Sequence, residues 1–371
     1  MSRTNSKLNN VLLHSSRLLF GLVFVFSGFV KAVDPLGSTY KFQDYFTAFG
    51  GAFYGFSDYA FALAIALSTI ELLIGLNLVF TIQVRRTAFA GLLFMLIMTP
   101  LTLYIALKNP VSDCGCFGEA LKITNWETFW KNIVLTVLIL TVLFTTRPRQ
   151  RFFMLWIEWI AMLVFVGFGI GISVYAYNHL PQIDFMPYKK GVNIAEAMKI
   201  PEGAPQDEYA TTFIYEKDGK QEEFTLENYP KDDSTWVFVD QKTTLVKEGF
   251  KPAIHDFRIY NSMDEDIVPE LLEHKGYTYL LIMYDLNKAS EEGAKIATEF
   301  YKKINNSSVR FYAVTASTDD EIAAFSQKTN SSFLFYKGDP ITLKTIVRAN
   351  PGLVLIKDGV IVGKWHWRDI L

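Results

Sequence analysis

Long apolar runs dominate the chain up to about residue 178, and mixed polar and charged sequence follows to residue 371. The runs at residues 11–30, 59–80, 87–107, 129–144 and 153–177 come near the roughly 20 residues that cross a bilayer as a helix. They predict five spanning helices. The first run has no convincing small-residue cleavage site and further apolar runs follow it, so it reads as a span rather than a cleaved leader.

Beyond the fifth run the pattern changes. Residues 179–205 carry Pro181, Pro187, Pro201 and Pro205 and read as irregular. Short alternating stretches at 211–215 and 223–226 flank Asp218-Gly219, a hairpin signal. A second short turn is expected between 236–239 and 243–246. From about residue 254, strand and helix patterns alternate: strands at 277–284, 309–315 and 333–336, with helices at 290–303, 321–329 and 342–347. A closing hairpin, 352–357 and 360–365, turns at Asp358-Gly359. Such alternation argues for an α/β sheet. The expected fold class is thus an α-helical transmembrane bundle of about five helices plus a soluble α/β domain with a small preceding β-rich element. The expected boundaries are 1–146 for a four-helix membrane domain and 147–180 for the fifth helix, then 181–252 for the irregular and β-rich segment and 253–371 for the last domain.

Charge placement orients the bundle. Arg3 and Lys7, then Arg85 and Arg86, then Arg147, Arg149 and Arg151 all fall on one side of a five-helix topology, and that side is expected to be cytoplasmic. The C-terminal domain and the loop holding Cys114 and Cys116 then lie outside, on the face where thiols meet an oxidising compartment. A net charge of −2 gives no basic field for nucleic acid. The five histidines are scattered, without the clustered Cys/His spacing of a zinc site, so no metal is expected.

Charges inside apolar runs need partners or water. Arg17 and Glu71, counted from the cytoplasmic ends, stand at comparable depth and form a candidate intramembrane pair. It reads either as an ion pair locking two helices or as a quinone or proton site. Lys31 and Asp34 lie at the outer end of the first run, where snorkelling accounts for them. Gly75 and Asn77 suit helix–helix packing.

The two cysteines stand in Asp113-Cys-Gly-Cys-Phe-Gly118, just past the third run. Gly115 gives the backbone the freedom that a Cys-x-Cys ring demands. Spacing alone leaves two readings, a redox-active pair or two buried thiols at a turn. Residues 17–31 (Arg-Leu-Leu-Phe-Gly-Leu-Val-Phe-Val-Phe-Ser-Gly-Phe-Val-Lys), 71–76 (Glu-Leu-Leu-Ile-Gly-Leu) and 113–118 resemble the DoxX/MauE group of small bacterial membrane proteins, over roughly the first 145 residues. MauE-like members are implicated in methylamine dehydrogenase maturation, where periplasmic disulfides form, and DoxX-like members are associated with sulfur or redox chemistry and quinones. The resemblance implies a redox role for Cys114 and Cys116, with quinone as the cofactor to consider.

The stretch 350–365 resembles the end of a thioredoxin-like domain, where a cis-proline precedes the penultimate strand. This implies a cis Asn350–Pro351 bond and a groove beside those two residues that binds an extended polypeptide. Thioredoxins carry Cys-x-x-Cys where the first core strand enters its helix. Here that region reads Asp285-Leu-Asn-Lys-Ala-Ser-Glu-Glu-Gly293, without cysteine, so the domain runs no dithiol exchange of its own.

Two functions follow as expectations. One is a membrane redox accessory protein, at most a thiol–disulfide oxidoreductase, at the outer face of a bacterial cytoplasmic membrane. The other is a non-catalytic scaffold whose thioredoxin-like domain binds an envelope client. The expected partners are membrane lipid and an envelope thiol/disulfide or client protein. A transporter is disfavoured, because the bundle shows no internal repeat.

Overall fold

The computed structural model of the chain describes residues 3–111, 113–146, 153–231, 233–247, 249–304 and 309–370. Arg147, Arg149 and Arg151, which contribute to the expected orientation, lie outside the described residues.

Helix α1 (Arg3–Val33) leads directly into a second helix, α2 (Pro35–Phe49). Asp34 sets that boundary. Its carboxylate accepts from Gly37 N at 2.9 Å, and Pro35 opens the helix where a missing N–H costs nothing. A 3₁₀ turn (Gly51–Tyr59) runs into α3 (Ala60–Val79), followed by α4 (Val84–Lys108), α5 (Asn125–Thr145) and α6 (Leu155–Asn178). Among the described residues, five stretches are long and apolar enough to cross a membrane: Asn9–Val33, Phe53–Val79, Val84–Lys108, Asn125–Thr145 and Leu155–Asn178. α2 is not among them, and the hydrophobic pattern gave no sign of it.

α1 and α3 pack backbone to backbone. A Cβ added at Gly28 would stand 2.6 Å from Leu72 N, and one at Gly75 would stand 2.6 Å from Val25 N. Lipid tails leave no hydrophobic force between helices, so small residues that permit close approach set this crossing. Phe20, Phe24, Leu78, Met95 and Ile139 fill the bundle core. Between α4 and α5, Asn132 Nδ2 donates to Thr102 Oγ1 at 3.1 Å. Where the connecting loop joins them, Asn125 Nδ2 donates to Asn109 Oδ1 at 2.7 Å.

Residues 192–257 form a compact unit of their own. After a short helix α7 (Ile194–Ala197), β1 (Glu208–Lys217) pairs antiparallel with β2 (Lys220–Thr225) and with β3 (Val237–Lys247). Asp218 and Gly219 both take positive φ, as a two-residue hairpin turn requires. The second turn expected here does not exist. Residues 237–247 are one strand, because they pair along the length of β1 and absorb the irregularity in register shifts.

The remaining chain, from Arg258, belongs to the same compact unit as the bundle. Its strands are β4 (Ile259–Tyr260), β5 (Tyr277–Met283), β6 (Arg310–Thr315), β7 (Phe335–Gly338), β8 (Gly352–Lys357) and β9 (Val360–His366). Its helices are α8 (Val268–Glu273), α9 (Glu291–Ile304), α10 (Asp319–Thr329) and α11 (Pro340–Ile346). The sheet order is β4-β7-β6-β5-β8-β9, with β5, β6 and β7 parallel and β8 and β9 antiparallel to their neighbours. Leu280 and Ile282 bury one face of β5, and Leu281 and Met283 the other. Helices cover both faces, and Asn350–Pro351 is cis before β8. This is a thioredoxin-like arrangement.

His366 at the end of β9 is buried, and its Nδ1 accepts from Arg368 N at 3.2 Å. Burial, helped by the Arg368 charge, lowers its pKa to about 4. The unfolded chain therefore binds a proton between about pH 6.5 and 4 that the folded domain refuses. Stability from this group is complete above pH 6.5 and is lost as pH falls toward 4. With the shift discounted for solvent screening, about 1–2 kcal/mol should disappear. Thermal unfolding of the detergent-solubilised chain at pH 7 and pH 4.5 measures it. His366→Gln should flatten that part of the pH dependence.

Candidate functional site

Cys114 and Cys116 are free thiols in the loop between α4 and α5, with their sulfurs 3.1 Å apart. They are 9% and 8% exposed. Gly115 takes φ +64°, which folds the loop back so that both sulfurs face each other. Its N–H is fixed by Asp113 Oδ1 at 2.9 Å.

Two helices pin the loop from opposite sides. From α1, Ser27 Oγ donates to the Cys116 carbonyl at 2.7 Å; from α2, Tyr45 Oη donates to the Cys114 carbonyl, also at 2.7 Å. Lys41 on α2 adds an ion pair to Asp113 at 2.7 Å. Tyr45, Leu101 and Val111 pack around the sulfurs and Ile105.

The two thiols are unequal. Cys116 is held below the ordinary thiol range, chiefly because Cys114 donates its S–H to it, with Lys131 and Lys31 adding to the effect against burial. Cys114 is pushed up by making that donation and by burial. One sulfur is thus set up as thiolate and the other as thiol.

Beside Cys116 lies a small, partly open cavity of about 20 Å³ in the bundle, room for one water. Ser27, Lys31, Glu71, Cys116, Lys131 and Asn132 supply its polar lining. Lys31 Nζ contacts both oxygens of Glu71 at 2.6 Å and Ser27 Oγ at 3.0 Å. Lys31 and Glu71 are 6% and 3% exposed.

The expected Arg17–Glu71 pair is therefore not what forms. Side chains on a helix lean toward its N-terminus. α1 and α3 run in opposite directions, so Lys31, near the C-terminal end of α1, leans back toward the middle of the bundle and Glu71 leans up to meet it. Arg17 leans away from Glu71, and its Nε and Nη1 are buried with no hydrogen-bond partner. Lys31 does not snorkel. Asp34 is likewise engaged: Arg348 of the thioredoxin-like domain binds its carboxylate through Nε at 3.1 Å and Nη2 at 3.0 Å. The signal that could have found Lys31 was the small-residue register of Gly21, Gly28 and Gly75, which aligns the C-terminal end of α1 with the middle of α3.

At the other end of the chain, Pro351 is buried and Asn350 Nδ2 donates to the Asp285 carbonyl at 2.7 Å. A Cβ on Gly293 would strike Trp367 and Pro351 at 2.7 and 2.9 Å. The region that holds the dithiol in thioredoxins is thus packed by the chain itself. Beside it, Tyr284 Oη meets Tyr40 Oη of α2 at 3.0 Å. His179, at the end of α6, pairs with Asp369 at 2.7 Å. α2 is consequently bonded on one side to the cysteine loop and on the other to the thioredoxin-like domain.

Among the described residues no group of three or more His, Cys, Asp or Glu could hold a metal ion. Fold and site together define a multi-pass membrane protein that carries a close thiol pair against its bundle. Residues 9–145 match the family described as methylamine utilisation protein MauE, and residues 209–248 match DUF8463, a domain of unknown function. No curated protein matches. A matching solved structure bears the description "Solution structure of a putative protein disulfide isomerase from Bacteroides thetaiotaomicron". It is 15% identical, covers 30% of this chain and 75% of its own, and has a TM-score of 0.25.

Proposed function

We propose that the chain is a membrane redox accessory protein whose Cys114-Gly115-Cys116 segment supports thiol–disulfide or quinone-linked electron transfer at the outer face of the cytoplasmic membrane. The observation that carries this reading is the pair of free sulfurs at 3.1 Å, one favoured as thiolate by the other's hydrogen bond. A thiolate next to a thiol is the arrangement that attacks a disulfide and then resolves it. The MauE match over the same helices supports it.

The step balances in either form. A thiolate and a thiol become one disulfide and give up two electrons and one proton; with one further proton from solvent these convert either a partner's disulfide to two thiols or a quinone to a quinol. The thioredoxin-like domain, lacking cysteine, supports the bundle through α2.

Thiol trapping in cells followed by mass spectrometry tests the reading. A disulfide between Cys114 and Cys116 should be found in part of the population and vanish after dithiothreitol. Sulfurs that stay reduced under every growth condition, with a Cys114→Ser/Cys116→Ser double variant that leaves envelope disulfides unchanged, would overturn it in favour of a scaffold.

A further inference from the structure

We propose that a second pocket, in the thioredoxin-like domain, binds an organic ammonium group between the rings of Tyr279, Phe300 and Trp365, with Asp369 as its counter-charge. The site is separate from the cysteines and does not depend on the redox reading.

Strand register builds it. Across β5, β8 and β9 one row of paired residues runs Leu281, Leu353, Trp365, and the next runs Tyr279, Leu355, Gly363. The rows are two residues apart along each strand, so both show their side chains on one face of the sheet. Gly363 leaves a gap at the end of the second row. The Trp365 indole lies over that gap, where a Cβ on Gly363 would overlap the ring. α9 covers the same face and supplies Phe300, whose ring meets that of Tyr279 at 5.1 Å and an interplanar angle of 82°. Leu353, Asp369 and Ile370 complete the lining.

Between these side chains lies a partly open cavity of about 210 Å³. An apolar cavity of about 150 Å³ takes up benzene, so a nitrogen carrying several methyl groups fits here. Two properties favour a cation over a neutral apolar group. Aromatic faces attract a cation that comes within about 6 Å of the ring centroid. Among the described residues, Asp369 is the one charged member of the lining. Its Oδ1 is engaged by His179 Nδ1 at 2.7 Å, and a neutral imidazole donating there leaves the negative charge in place. The adjacent Arg368 is exposed and lies over the Trp367 ring, 4.3 Å from its centroid.

His179 also places the pocket. It directly follows the span Leu155–Asn178, and its ring stacks on Tyr175 at 4.7 Å. The Asp369 rim therefore stands where a span meets water, the level of aromatic belts and lipid headgroups. Two sources share the required chemistry: a phospholipid headgroup and a free alkylammonium compound.

The test measures binding of labelled choline to the full-length chain by scintillation proximity in dodecyl maltoside, a detergent without nitrogen. Competition with dimethylbutanol, the neutral carbon isostere, isolates the charge. Choline should bind about ten- to thirtyfold more tightly than the isostere, the gain that aromatic faces give a desolvated cation. Trp365→Leu should weaken choline about tenfold and leave the isostere nearly unchanged. Asp369→Asn should weaken choline about fivefold, as suits a partly exposed carboxylate. His179→Gln keeps that carboxylate and should bind choline like the wild type; a loss equal to that of Asp369→Asn would overturn the counter-charge role.

Nanodiscs separate the two sources. Choline should bind in discs of phosphatidylglycerol as it does in detergent. If added phosphatidylcholine abolishes that binding, the occupant is a lipid headgroup; if binding persists, it is a free ammonium compound. Both outcomes uphold the site. Equal affinity for choline and the isostere overturns the inference, and so does an absence of displaceable choline binding in the folded wild type. Neither of those comparisons needs a variant, and both leave the cysteine site untouched.

Discussion

Asp34→Ala should detach the thioredoxin-like domain from the bundle. Arg348 is 7% exposed and sits between Asp34 and the ring of Tyr40, 5.5 Å from the ring centroid. Removing the carboxylate strands a buried guanidinium, a loss of about 3–5 kcal/mol. Losing the N-cap of α2 adds about 1 kcal/mol. Thermal unfolding in detergent and trypsin sensitivity should both register the change. Asp34→Leu combined with Arg348→Met should recover most of the loss, because replacing both charges leaves nothing unpaired. A single alanine variant as stable and protease-resistant as the wild type would show that the pair does not hold the domain. The same variant should speed alkylation of Cys116, since Tyr45 and Lys41 hold the cysteine loop from the helix that Asp34 caps.

The second large effect separates the two sulfurs. A small aromatic disulfide at pH 7 should react with the wild type to release two equivalents of coloured thiol and leave the internal disulfide. Cys114→Ser should stop halfway, with one equivalent released and one adduct retained on Cys116. The serine hydroxyl still donates to the Cys116 thiolate, but no second sulfur is present to resolve the adduct. Cys116→Ser leaves a thiol whose pKa is raised by burial, and it should react about a hundredfold more slowly, since thiolate is the nucleophile. Equal rates for the two single variants would mean that Cys116 is not the attacking sulfur. Absorbance of the released thiol and the intact mass are the measurements.

The five spans were legible because a bilayer imposes a length that composition alone reveals. The closing hairpin of the thioredoxin-like domain was legible because Asp358-Gly359 suits a turn with positive φ at both positions, which both residues take. The false turn at 240–242 has an aspartate, Asp240, but no glycine after it, and there the continuous pairing with β1 prevailed. The site was legible only in part. Cys114 and Cys116 stood out as the sole sulfurs of their kind, but their ionic neighbour did not, because depth counted from helix ends ignores which way side chains lean. α2 was hidden for a different reason. Its residues are neither apolar enough to signal a span nor alternating enough to signal a strand, and the Asp34-Pro35 start was the one local cue.

α2 also restricts which molecules can reach the sulfurs. Tyr45 packs over a pair already less than a tenth exposed, and the helix that carries it is fastened at Asp34 and Tyr40. If the redox reading holds, a protein-sized disulfide would need this helix displaced, whereas a slender molecule would need only the sliver of sulfur left showing. On that reading, the thioredoxin-like domain, by fastening α2, would decide how wide a partner can reach the sulfurs.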